Sequence, residues 1–417
     1  MSTPPTPPGG FPGMPDPNDP AQMQAFLAQM QQMFAAAGTQ DGPVNWTLAR
    51  QVAEQVARST DRSLTAAERT STTDALRLAD VWLDPVTSLP SGARTTTAWT
   101  TLEWIDQTLP VWKQLCDPVA SRVVAATSGS LPEEMAAQLG PMRGLLDGIG
   151  GMAFGQQVGT GLGQLSAEVL TSSDIGVPLG PAGVAALLPA NIEAFAEGLE
   201  RPVDEVRLYV ALREAAHQRL FEHVPWLRSH LLNAVDAYAR GIAIDREAIE
   251  DAMSSIDPGA LDPNNLESLQ ESLAGGMFTP SDTPEQKAAL ARLETALALV
   301  EGWVTAVVEA AAGERLPGLS ALGEAFRRRR ASGGPAEQTF ATLVGLEMRP
   351  RKLREASVLW QKLAEARGVE GRDAIWGHPD LLPSSDDLDD PDAFVRRQDD
   401  GGIDGIDGIN LDDLKDL

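Results

Sequence analysis

The chain has 417 residues, with 33 Lys and Arg against 59 Asp and Glu, a formal charge of −26. That balance argues against nucleic acid or an anionic membrane surface as the main partner, since both repel an acidic protein. A single cysteine, Cys116, excludes an intramolecular disulfide and points to a reducing compartment. The opening MSTPPTPPGGFPGMP has neither a basic n-region nor an apolar h-region, so no secretory signal is expected. The longest apolar stretches are cut by Glu301, Glu309 or Pro189, so no bilayer-spanning segment is expected, and the expected setting is the cytoplasm.

Residues 1–20 are rich in Pro and Gly and read as a disordered tail. Over 21–41, Phe26, Met30 and Met33 or Phe34 recur at helical spacing, which predicts a short amphipathic helix and a linker. The body is expected over 42–394, with Asn45 as the N-cap of its first helix. From Leu64 to Thr127 the pattern is helical again, with Thr65 as a cap. Trp82, Trp99, Trp104 and Trp112 in that stretch are expected to lock helices together rather than line a cleft. Glycines at 144, 148, 151, 155 and 159 fit neither a dinucleotide fingerprint nor a P-loop, and their spacing suits close helix packing. Between Ser172 and Leu199 lie the only good strand candidates, short and bounded by Pro and Gly.

A central helix follows, with Pro202 near its start and Asp204 and Glu205 in its first turn. Two short helices are expected between Tyr238 and Thr283. A long one then opens at Thr283-Pro284, and Glu301 interrupts its most apolar part. Arginines 327–330 read as a solvated helix end, and His378 as a structural loop residue. Glu337 and Glu347 are further acidic candidates. The segment 395–417 is acidic and repetitive, lacks EF-hand ligand spacing, and reads as disordered.

Chemistry concentrates on the central helix, where Arg213-Glu214-Ala215-Ala216-His217 is the pattern H-E-x-x-H with arginine in place of the first histidine. In the intact motif two histidines four apart share a zinc ion and the glutamate polarises its bound water. Glu214 and His217 keep their places. His223 falls where the longer form of the motif puts a third ligand, though Leu220 stands in place of its turning glycine. On a straight helix His217 and His223 would point about 120° apart, so they converge only if the chain bends, and Pro225 favours a bend nearby. A guanidinium has no lone pair to offer, so Arg213 cannot be a ligand. Arg213 and His217 share an otherwise apolar face with Val206, Val210 and Leu220, which is costly unless a carboxylate or a metal pairs them.

The segments REAAHQRLFEHVPWLRSHL, ALRLADVWLDPVTSLP, AWTTLEWIDQTLPVWKQL, LALVEGWVTAVV and IWGHPDLLPSSDDLDDPDAF together resemble a zincin-like bacterial family common in actinobacteria. Its members are usually labelled hydrolases or zinc-dependent metalloproteases, and a sister group is associated with coenzyme F420 biosynthesis. The similarity runs from about Val44 to Phe394. It implies a mainly α fold: a large helical zincin-like body with at most a small β element, flanked by disordered tails. It also implies zinc on both histidines of the motif, which this chain matches at Glu214 and His217 only. In the gluzincin branch a glutamate on a downstream helix completes the metal site, which makes Glu301 the first candidate for a carboxylate ligand. Two readings follow. One is a peptidase-type hydrolase with zinc on His217, His223 and Glu301 and with Glu214 as general base; the same ligand set would equally suit ferrous iron. The other is a catalytically inactive relative in which Arg213 replaces the metal charge, acting as a binding or scaffold protein on a peptide or protein partner.

Overall fold

A computed structural model describes residues 42–129, 140–240, 283–331 and 352–400. The amphipathic helix expected over 21–41, residues 1–20 and 401–417, the short helices expected before Thr283, and Glu337 and Glu347 lie outside the described residues. Within them the chain is mainly helical, with 12 helices and one small parallel sheet of two strands. They fall into two units.

The smaller unit includes the start of α1 (Trp46–Ala57), the end of α3 (Thr101–Gly129) and the first part of α4 (Gly140–Ser166). Asn45 caps α1 as expected, its Oδ1 accepting from Leu48 N at 3.0 Å, while its own N donates to Gly151 O at 2.9 Å. A Cβ on Gly155 would lie 2.6 Å from Asn45 O, so here the glycine does permit the close approach that the spacing suggested.

The larger unit carries the remaining elements: α2 (Ala66–Leu83), β1 (Thr95–Ala98), β2 (Val184–Leu187), α5 (Pro189–Leu199), α6 (Val203–His223), α7 (Leu227–Arg240), α8 (Pro284–Ala312), α9 (Leu319–Ala331), α10 (Leu353–Asp373), α11 (Ser385–Asp389) and α12 (Pro391–Asp400). Thr65 and Glu68 close a capping box on α2. The Thr65 hydroxyl and backbone both donate to Glu68, and these bonds hold its carboxyl down at about 2. β2 lies in the expected strand region, but its parallel partner β1 falls inside the stretch read as helical from Leu64 to Thr127. Three consecutive β-branched threonines, Thr95 to Thr97, were the local signal for that strand. Trp99, Trp104 and Trp112 are buried as expected, and Arg315 lies over the ring of Trp82. His378 is exposed, and its Nδ1 accepts from Asp380 N, a local structural role.

α8 is long and apolar enough to cross a bilayer, which corrects the reading that no stretch was. Most of that stretch is buried within the protein, as suits a core helix. α12 also runs to Asp400, six residues past the boundary drawn at 394.

α6 sits at the centre of this unit, with α2, α5, α8 and β2 packed on it. Every residue from Tyr209 to Leu220 is buried, including Arg213, Glu214, His217, Gln218 and Arg219. A helix enclosed on all sides cannot turn polar groups to water, so each must find a partner on a neighbouring element. Arg219 finds Asp80, Asp84 and the Leu89 carbonyl. α6 ends at His223, with Val224 as its cap just before Pro225.

Candidate functional site

Arg213 and His217, four residues apart and therefore stacked on one side of α6, both meet Glu301 on α8. Arg213 Nη2 donates to Glu301 Oε2, and its Nη1 lies 3.3 Å from Thr305 Oγ1. His217 Nε2 stands 3.0 Å from Glu301 Oε1, and its Nδ1 stands 2.9 Å from the Arg213 carbonyl oxygen. All three side chains are buried. The carboxylate that pairs Arg213 and His217 is therefore the one picked out on the downstream helix. Gly176 presses on it from a loop: φ is +76°, and a Cβ there would sit 2.9 Å from Glu301 Oε1.

The hydrogen-bond roles follow from the atoms. A carbonyl oxygen only accepts, so His217 Nδ1 carries a proton. Nε2 then faces a carboxylate oxygen at bonding distance, which is repulsive unless a second proton lies between them. The cluster thus contains a guanidinium, one carboxylate, one imidazole and a proton shared between the last two. Burial alone would lower the Arg213 guanidinium, but the charge of Glu301 and the Tyr209 hydroxyl outweigh it and hold it above its ordinary value. Burial likewise raises the Tyr209 phenol.

Glu214 points elsewhere. It lies about 100° further round α6, is fully buried, and is gripped by the 172–173 loop. Ser172 and Ser173 hydroxyls donate to its two oxygens, and Gln218 Nε2 adds a bond of 2.9 Å. These three donors were not singled out from the sequence. Gln218 was legible as the i+4 neighbour of Glu214, whereas nothing in the sequence ties the two serines to α6. His223 is not brought to the cluster. It is exposed at the end of α6, where its Nε2 donates to Ser91 O at 3.2 Å. Of the arginines after Phe326, Arg327 and Arg328 lie at the surface and pair locally with Glu324, as a solvated helix end would, whereas Arg329 turns inward to Asp174 at 3.1 Å.

Tyr209, Arg213 and Glu301 also line a pocket of 420 Å³. The family model for zincin-like metallopeptidases matches residues 44–395. The chain belongs to this family. Among solved structures it resembles one described as "a putative hydrolase with a novel fold" from Chloroflexus aurantiacus, at 20% identity and a TM-score of 0.58, covering 85% of this chain and 99% of that one. At that identity the likeness concerns the fold alone. No curated protein matches.

A zincin-like family implies zinc, and the residues present do not fit it. Catalytic zinc sites draw three protein ligands. Here one imidazole and one carboxylate converge, the carboxylate is already paired with Arg213, and the motif's first ligand position is itself that cation. Among the described residues, no group of three or more His, Cys, Asp and Glu side chains is gathered in a way that could hold a metal ion. The same geometry removes His223 from a ligand set for ferrous iron.

Proposed function

We propose that this protein is a non-hydrolytic member of the zincin-like family, in which Arg213 occupies the place of a metal ligand and the site serves binding rather than zinc chemistry. The observation that carries this reading is the buried contact of Arg213 and His217 with opposite oxygens of Glu301. Charge bookkeeping supports it. A zinc ion would bring two positive charges to the carboxylate, and the guanidinium plus the shared proton bring the same two. His217 keeps the orientation of a metal ligand, with Nδ1 donating to a backbone carbonyl, but its Nε2 is turned to Glu301 Oε1 at 3.0 Å. Glu214, with both oxygens taken by donors, is not poised to polarise water.

The competing reading, a zinc hydrolase, draws on the family and on the adjacency of His217 and Glu301. Elemental analysis of protein purified without an affinity tag or chelator separates the two. The expected result is far less than one zinc per chain in both the wild type and His217→Ala. Arg213→His, which restores the motif beside Glu301, is expected to gain close to one zinc per chain and to lose it again when combined with His217→Ala. Stoichiometric zinc in the wild type that disappears in His217→Ala would overturn the proposal. Failure of Arg213→His to gain metal would show that the cluster is not the counterpart of a metal site.

A further inference from the structure

The pocket beside Arg213 lies among α6, α8, α9 and α10, all within the larger unit. Its charged lining is balanced: Arg213, Arg327 and Arg354 against Glu301, Glu309 and Glu324. The innermost pair, Arg213 and Glu301, is spent on itself and on His217. Nearer the mouth the pairing is incomplete. Glu309 takes a 2.9 Å hydrogen bond from Gln361, but its ion pair with Arg327 is long, at 3.7 Å, because Arg327 is drawn to Glu324 at 3.2 Å. Arg354, which also lines the pocket, is exposed on α10 and has no ion-pair partner among the described residues. Hydroxyls of Tyr209 and Ser357 and the ring of Phe326 complete the wall.

This distribution selects by charge. A phosphate or other polyanion entering the pocket would lose its water against Glu309 and Glu324. A polycation would meet Arg327 and Arg354. A molecule with one charge of each sign, held apart, can satisfy the under-paired carboxylate and the open guanidinium together. The volume of 420 Å³ lies within the range of small-molecule sites. We infer that this pocket binds a small zwitterion, its carboxylate on Arg354 and its ammonium group on Glu309. The inference gives the binding reading above a ligand class and rests on it.

The test is isothermal titration of the full chain with glycine, 4-aminobutyrate and 6-aminohexanoate, which differ in charge separation, and with hexanoate, hexylamine and inorganic phosphate as controls. At least one amino acid of the series is expected to bind saturably, about tenfold or more tighter than any control. Arg354→Gln and Glu309→Gln are each expected to weaken it by about tenfold without shifting the thermal midpoint, and Val358→Trp, at a half-open position of the wall, to block it. No saturation by any member at millimolar concentration, equal binding by a control, or unchanged affinity in both charge variants would overturn the inference. Zinc is measured on the same preparation. Stoichiometric zinc alongside zwitterion binding would sink the non-hydrolytic reading alone, and neither zinc nor zwitterion binding would sink this inference alone.

Discussion

Arg213 on α6 donates to Glu301 on α8 with only 6% and 2% of the two residues exposed, so a full ion pair is sealed in the core. Forming such a pair gives little net stability, because desolvation offsets the attraction, but removing one partner strands a buried charge. Glu301→Ala is therefore expected to cost about 3–5 kcal/mol in urea unfolding. The double replacement Arg213→Met with Glu301→Leu is expected to cost less than Glu301→Ala alone. If the double variant were the less stable of the two, the pair would be contributing more than mutual neutralisation.

Glu214 separates structural from catalytic service. Its three donors hold a buried carboxylate, so Glu214→Gln replaces one acceptor oxygen by a donor that faces a serine hydroxyl. The expected result is a loss of about 1–3 kcal/mol, with zwitterion binding in the Arg213 pocket unchanged. A general base would behave oppositely: hydrolytic activity would vanish while the unfolding midpoint stayed in place.

Gly176 is tied to the same cluster through its backbone. Its φ of +76° disfavours any side chain, and the space a Cβ needs is taken by Glu301 Oε1. Gly176→Ala is expected to lose at least about 1 kcal/mol from backbone strain, more if Glu301 is pushed off Arg213. Gly198 offers the control, since nothing lies within 4 Å of where its Cβ would be. Equal effects of Gly176→Ala and Gly198→Ala would contradict the close contact at Glu301.

Much of this was legible in the sequence because it is local. Thr65, Asn45, and Thr283 before Pro284 announced helix starts, and each cap bond is present. The pairing of Arg213 and His217 with a carboxylate followed from placing two polar residues on a buried face, and an acidic residue inside the apolar run of α8 was the available partner. What could not be read depends on contacts between distant segments. β1 needs β2, about ninety residues away, to be a strand at all. The Ser172-Ser173 grip needs that loop laid against α6. His223 followed the motif spacing, but α6 stays helical up to it and ends there, so its side chain never turns back toward His217. Another buried polar hub of the larger unit, Asp373, carried no motif whatever.

Asp373, at the end of α10, accepts from Thr87 Oγ1 at 2.6 Å, Ser88 N at 2.8 Å, Trp303 Nε1 at 2.8 Å and Arg372 Nε at 2.8 Å. Burial alone would raise its carboxyl, but the hydrogen bond and charge of Arg372, with Thr87 and Trp303, outweigh it and hold it below the ordinary aspartate value. A carboxyl depressed in the folded state contributes stability that is present above its unfolded value, about 3.9, and that is lost as pH falls through the folded value. Stability of the wild type is therefore expected to decline as pH drops below about 4, in part through this group. Asp373→Asn is expected to show a shallower decline over that range, on top of a loss at neutral pH of about 3–5 kcal/mol, because Arg372 is left buried without its counter-charge. Chemical unfolding of both proteins at a series of pH values measures the two slopes. Parallel slopes would mean that acid sensitivity arises elsewhere, with the half-buried capping carboxyl of Glu68 as the next residue to replace.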